Sequence, residues 1–266
     1  MAGHRVVRKG RGHHHRHRVV RRVARHRDLA CRGRDLVTRP AAGIISAATL
    51  LLVAGFVDAI AFIYLQANFV SFMSGNTTVM GVSPSLGHWS DVGICAGLIA
   101  LFFAGVFVGS VINRTRRRPR EWLLWTVTGT MALGATVAGL QPDSSGQGIA
   151  GAGVTGMLVV AVATGMINAI FERDAAVPYG LTYVTGTLVR SARQLADTVV
   201  TRGDHTDAPR RAWLKSLGMW SLLAVGAVGG GYGFRWLTLS ALWIPVVALL
   251  VMALTTALAR VVNRAG

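Results

Sequence analysis

Acidic residues are scarce in this chain: 11 Asp and Glu stand against 28 Arg and Lys in 266 residues, and charged residues of both signs make up only 15%. That is too little charge for the surface of an ordinary soluble domain, while 52% hydrophobic residues and a positive mean hydropathy point to a multipass membrane protein. Cysteine is nearly absent. Cys31 lies in a basic stretch and Cys95 in an apolar one, with no CxxC or metal-ligand spacing, which argues against a disulfide framework or a zinc site. Lysine is limited to Lys9 and Lys215. Nucleophile triads, phosphate-binding loops and paired catalytic carboxylates are also missing, so no enzyme activity, metal or cofactor is expected.

The basic residues are concentrated. Residues 1–40 hold 13 Arg and Lys with two Asp, giving 11 of the formal +17. This segment reads as a disordered tail preceding an integral membrane domain at 41–266. Three readings of it stand side by side: contact with anionic lipid, nonspecific contact with nucleic acid, or an unselected extension. It does not read as a secretory signal, because the first apolar segment starts about 40 residues in and is far longer than a signal core.

Crossing a bilayer takes an apolar run of about 20 residues. Such runs occur at roughly 42–65, 90–112, 121–140, 149–171, 213–234 and 237–259. Segments 67–82 and 180–197 are too short or too polar, the second carrying Arg190, Arg193 and Asp197. Loop charge places them. If both dip into the membrane and return, "NRTRRRPRE", "TRGDHTDAPRRAWLK" and the two chain termini all fall on the cytoplasmic side, and "QPDSSGQG" falls outside. The expected fold is an all-α membrane protein with about six transmembrane helices and two re-entrant or half-helices.

The halves resemble each other. "GFVDAI" at 55–60 matches "GMINAI" at 165–170, and "SFMSGNTT" at 71–78 matches "TYVTGTLV" at 182–189. Gly55 and Gly75 are 20 residues apart, Gly165 and Gly186 are 21 apart. Repeat one would cover about 42–140 and repeat two about 149–260. With three crossings each, the copies enter the membrane from opposite sides, an arrangement that builds midplane solute sites in secondary transporters.

The polar motifs lie in the short segments. The expectation is an extended approach turning at Ser74, Gly75 and Asn76 into a short helix, with Ser74 or Asn76 as the cap and Thr77 beside them. Thr185, Gly186 and Thr187 offer the corresponding turn. Free N–H groups at two facing helix starts would favour an anion or carboxylate. Asp58 lies about 6 Å beyond the centre of its span at ~1.5 Å per residue, so its carboxylate must be paired, hydrated or protonated. Asn168 is its neutral counterpart. The competing structural reading makes these residues close-packing and interhelical hydrogen-bonding groups, with Asp58 holding the neighbouring re-entrant helix.

"GAGVTG" at 151–156 has the form GxGxxG but opens a membrane span instead of following a strand, so it reads as helix packing. Gly105 and Gly109 form a GxxxG pair suited to a close helix contact or to the face of a homo-oligomer. Trp89, Trp122 and Trp213 flank spans as interfacial anchors.

Taken in order, "AGFVDAIAFIYL", "FVSFMSGNTTVMG", "GMINAI" and "LTYVTGTLVRSARQLA" resemble the YoaK-like bacterial membrane proteins, a family defined by a domain of unknown function. The resemblance covers about 42–260. It differs in the first motif, where Ser74 replaces the usual Thr. It implies a multipass protein of the bacterial plasma (inner) membrane and supplies no substrate. The functional expectation is a small-solute transporter or channel, a small anion slightly favoured, using Asp58, Ser74, Gly75, Asn76, Thr77, Asn168, Thr185, Gly186 and Thr187. The alternative is a nontransporting scaffold or sensor.

Overall fold

In a computed structural model, residues 40–140, 151–170, 184–200 and 212–265 are described, and all regular structure among them is helical. The basic tail, the "QPDSSGQG" loop, the approach to the second motif at 171–183 and most of the loop at 201–211 lie outside the described residues. The helices are α1 (Pro40–Tyr64), α2 (Met73–Val82), α3 (Trp89–Thr115), α4 (Pro119–Gly139), α5 (Ala152–Ile170), α6 (Val184–Val200), α7 (Ala212–Leu237) and α8 (Trp243–Ala265).

Among the described residues four stretches are long and apolar enough to cross a membrane: Gly43–Tyr64, Trp89–Thr115, Ala152–Ile170 and the 50-residue Trp213–Val262. At ~1.5 Å per residue the last would reach about 75 Å as one straight helix, more than twice a ~30 Å hydrocarbon core. It is broken by a 3-10 turn at Thr238–Leu242, with Thr238 at φ 51°, which divides it into α7 and α8. The third expected span, 121–140, forms α4. Its 21 residues are enough to cross, but they begin with Arg120 and Glu121 and are rich in Thr and Gly, so it is less apolar than the four.

The short segment 67–82 does not continue α1. Helix α1 closes when the Ala67 N–H reaches back to the Phe62 carbonyl (2.9 Å). Gln66 and Ala67 then take positive φ (51° and 78°), a conformation that costs a non-glycine residue about 1–2 kcal/mol. Residues 65–72 are non-helical, and α2 follows for ten residues, about 15 Å or half a hydrocarbon core. The other short segment differs from a half-helix. Helix α6 runs 17 residues and packs on α7 through two side-chain bonds: the Ser191 hydroxyl donates to the Trp213 carbonyl (2.9 Å), and the Ser216 hydroxyl to Gln194 Oε1 (3.1 Å).

Glycines set the helix crossings, because only a residue without Cβ lets two helix backbones touch. A Cβ on Gly55 of α1 would lie 2.1 Å from the Leu223 carbonyl oxygen and 3.0 Å from the Ala227 nitrogen of α7. A Cβ on Gly165 of α5 would lie 2.2 Å from the Phe102 carbonyl oxygen and 3.0 Å from the Val106 nitrogen of α3. The facing glycines match as well: Gly226 of α7 meets the Leu52 carbonyl, and Gly105 of α3 meets the Val162 carbonyl. One constant shift in numbering carries the α1 residues onto α5, and a second carries the α3 residues onto α7.

Gly105 and Gly109 are thus buried against α5 of the same chain, which removes them as a face for a second copy. Gly153 and Gly156 of the GxGxxG stretch abut Tyr64 and Ala138, in keeping with packing. Helix α5 is the core helix, with Val160, Ala163 and Met166 buried, whereas Phe103 and Phe107 of α3 are 71% and 62% exposed and suit lipid contact. At one end, Arg260 of α8 pairs with Glu121 of α4 (2.5 Å), and the Arg116 guanidinium lies over the Trp122 ring (4.8 Å).

Candidate functional site

A buried loop inside a membrane needs a hydrogen-bond partner for every backbone group, since lipid supplies none. Side chains from four helices bond the buried part of residues 65–72, at Asn68–Ser71. Asp58 of α1 supplies the largest share. Its Oδ1 accepts from the N–H groups of Val70 (2.9 Å) and Ser71 (2.7 Å), and its Oδ2 accepts from the Ser71 hydroxyl (2.5 Å). From α2, Asn76 makes a two-point clamp on Phe69: Oδ1 accepts from its N–H (2.8 Å), and Nδ2 donates to its carbonyl (2.6 Å). From α5, the Thr164 hydroxyl donates to the Val70 carbonyl (2.6 Å). From α3, the Cys95 thiol donates to Asn68 Oδ1 (2.8 Å), while Asn68 Nδ2 donates to the Leu65 carbonyl (2.9 Å). Asp58, Asn68, Ser71, Asn76, Cys95 and Thr164 are all buried.

This geometry corrects two expectations about the first motif. Phe72 is the residue preceding the first turn of α2, and no side chain caps it; Ser74 is exposed, and Asn76 reaches back past the cap to Phe69. The turn also falls earlier than Ser74-Gly75-Asn76: α2 begins at Met73, and in the turn before it Phe69 gives its N–H to Asn76, and Val70 and Ser71 give theirs to Asp58. The successive N–H groups do bind a carboxylate, as such a turn should, but it is the protein's own.

Beside the loop lies a cavity of about 670 Å³. Among the described residues its lining includes the polar Asp58, Ser71 and Thr185, so one comes from each of α1, the loop and the first described turn of α6. Aromatic side chains form much of the rest: Phe62, Phe69 and Phe72 on one side and Trp220 of α7 on the other. The three phenyl rings stack in series, Phe62 to Phe69 and Phe69 to Phe72, each pair with centroids 5.3 Å apart.

Of the nine residues singled out from sequence, the fold brings Asp58 and Thr185 to this cavity. Asn76 is buried and braces the loop. Gly75 faces the Phe69 and Phe72 rings, where a Cβ would come within 2.9 Å of both. Ser74 and Thr77 are exposed on α2, with the Thr77 hydroxyl bonded back to the Met73 carbonyl (2.9 Å). Asn168 is half-buried on α5 and donates to the Thr164 carbonyl (3.0 Å); Gly186 and Thr187 are half-buried in α6. None of these seven lines the cavity.

Sequence reasoning passed over Asn68, Ser71, Thr164 and the aromatic wall. Thr164 carried a legible signal, since it immediately precedes Gly165 in the repeated "TGMINAI" and is a hydroxyl in an otherwise apolar span. Ser71 opens the first copy of the second motif.

Comparison with known proteins agrees with this architecture. A UPF0700 transmembrane protein of Rhizobium meliloti (strain 1021) is 30% identical over 214 residues, which cover 80% of this chain and 86% of the relative. No solved structure matches the chain. With a transmembrane relative over most of its length and four apolar spans, the chain is a multipass membrane protein. The resemblance to YoaK-like proteins fits the family whose model, described as a protein of unknown function (DUF1275), matches residues 46–255, and the chain belongs to that DUF1275 family.

Proposed function

We propose that this protein is a transporter or channel for a small solute, built from two inverted repeats of three membrane crossings, and that it is not an enzyme. The observation that carries the reading is the cavity shared between the halves: Asp58 and Ser71 come from the first repeat, and Thr185 from the second. Solute sites in inverted-repeat transporters lie at such repeat interfaces, beside helices interrupted within the membrane. The repeat itself is supported by the glycine crossings, where α1 meets α7 with the same residue pairing by which α5 meets α3. The interrupted helix is supported by the break at 65–72 and the ten-residue α2.

The Arg260–Glu121 pair supports the topology. It puts the C-terminal part of α8 at the same end as Arg114 and Arg116–Arg118, and an end this rich in Arg belongs on the cytoplasmic side. The substrate reading shifts from the sequence-based one. A small anion would meet a carboxylate already holding the nearby donors and would be repelled by it, so a neutral or cationic solute suits the cavity better.

Flux into proteoliposomes, screened across small cations, neutral solutes and anions, tests the reading. Gly231 lines the cavity, and a Cβ there would meet nothing within 4 Å, so Gly231→Phe fills the space without disturbing a helix contact. At least one solute should cross faster than in protein-free liposomes and fall to background with Gly231→Phe. Flux at background for every solute, or flux untouched by Gly231→Phe, would instead favour a scaffold or sensor role.

A further inference from the structure

We propose that the cavity beside Asp58 binds an organic monocation with an apolar body, an amine or quaternary ammonium ion, its charge set at Asp58 and its body against the aromatic wall. This rests on the reading of the cavity as the solute site and adds the chemical class of the solute.

Charge comes first. The donors to Asp58, the backbone N–H groups of Val70, Ser71 and Phe72 and the Ser71 hydroxyl, are all neutral. Such bonds lower the cost of a buried carboxylate but leave its charge uncompensated. Among the described residues no Arg, Lys or His pairs with Asp58. Oδ2 accepts from the Ser71 hydroxyl, and Asp58 lines the cavity. A positive charge arriving there supplies the missing countercharge.

The walls and the volume decide which cation. A bare metal ion needs several oxygen, nitrogen or sulfur ligands to replace its water, and the described residues contain no cluster of three or more His, Cys, Asp or Glu. A cavity of about 670 Å³ is far larger than such an ion requires and falls in the range of sites for small organic molecules. Phe62, Phe69, Phe72 and Trp220 present faces and edges that attract an organic cation and bury its hydrocarbon. An anion finds no cationic side chain among the described residues of the lining, and a neutral solute leaves the carboxylate unmatched.

The test uses radiolabelled benzyltrimethylammonium and the full chain purified into phosphatidylglycerol nanodiscs, with benzyl alcohol and benzenesulfonate as neutral and anionic analogues. The cation should bind saturably, about one per chain, and Asp58→Asn, which keeps an acceptor for the loop, should weaken it about tenfold or more. Phe62→Leu and Trp220→Leu leave every loop hydrogen bond intact and should weaken it several-fold, so they carry the test if Asp58→Asn fails to fold. Equal binding of either analogue, no binding of the cation, or no effect in any of the three variants overturns the proposal. Competition by added phosphatidylcholine would assign the ammonium to a lipid headgroup, and its absence would assign it to a soluble amine; either upholds the cation site. The two readings separate cleanly. Solute flux blocked by Gly231→Phe without cation binding leaves transport standing and removes the cation; Asp58-dependent binding without flux of any solute does the reverse.

Discussion

Gly55→Ala and Gly165→Ala should destabilise the protein by similar amounts, because each inserts a methyl group at the same kind of backbone crossing. The new Cβ atoms would lie 2.1 Å from the Leu223 oxygen and 2.2 Å from the Phe102 oxygen, where ordinary contact begins at 3.4 Å. The obstacle in each case is a helix carbonyl, held by its own hydrogen bond, so no side chain can swing away. The two helices must part by about 1 Å over the crossing, and every neighbouring contact loosens with them. Overpacking of this kind costs about 1–3 kcal/mol. Alanine returns up to ~1 kcal/mol of intrinsic helix preference over glycine.

That returned preference is measured separately. Gly93 of α3 and Gly129 of α4 are helical glycines at which a Cβ would meet nothing within 4 Å, so Gly93→Ala and Gly129→Ala should be neutral or slightly stabilising. Thermal melts in detergent, followed by circular dichroism, would rank the four. The two crossing variants should fall below wild type together and the two controls should not. If Gly55→Ala melts with the controls, the α1–α7 crossing is looser than described. If Gly55→Ala and Gly165→Ala differ by more than ~2 kcal/mol, the matched pairing of the two crossings has no energetic counterpart, and the repeat loses its main support.

Asn76→Ala should cost about 2–4 kcal/mol, because it leaves the Phe69 N–H and carbonyl without partners in a water-poor site; Asn76→Asp should recover little, since it keeps the acceptor and sets a carboxylate against the Phe69 carbonyl. A melt of Asn76→Asp as high as wild type would contradict the clamp. Thr164→Val removes one hydroxyl from the Val70 carbonyl at nearly constant volume and should cost about 1 kcal/mol. Hydrogen exchange should then rise at residues 68–72 while the interior of α5 stays protected, and uniform loosening of α5 would mean that Thr164 serves helix packing instead.

The helices were legible because apolar length survives in the sequence regardless of what packs on it. The break after Tyr64 was legible too, because segment 67–82 is too short to span the membrane. The glycine crossings were half legible: Gly55 and Gly165 stood out as equivalent, but Leu223 and Phe102 did not, since a carbonyl oxygen belongs to every residue and leaves no mark in the letter. The same reason hid the role of Asp58. Its partners lie 12 or more positions downstream, and all but the Ser71 hydroxyl are backbone N–H groups. From sequence the charge and the turn could be given separate tasks in a solute site, or be joined with Asp58 holding the neighbouring re-entrant helix, and nothing in the letters chose between the two. The fold joins charge and turn. Once the carboxylate satisfies the turn, the turn has no donor left at Val70 and Ser71 to offer, and Asp58 itself lines the cavity. A turn whose successive N–H groups suit an anion is thus filled, through one contact within the chain, by the chain's own carboxylate.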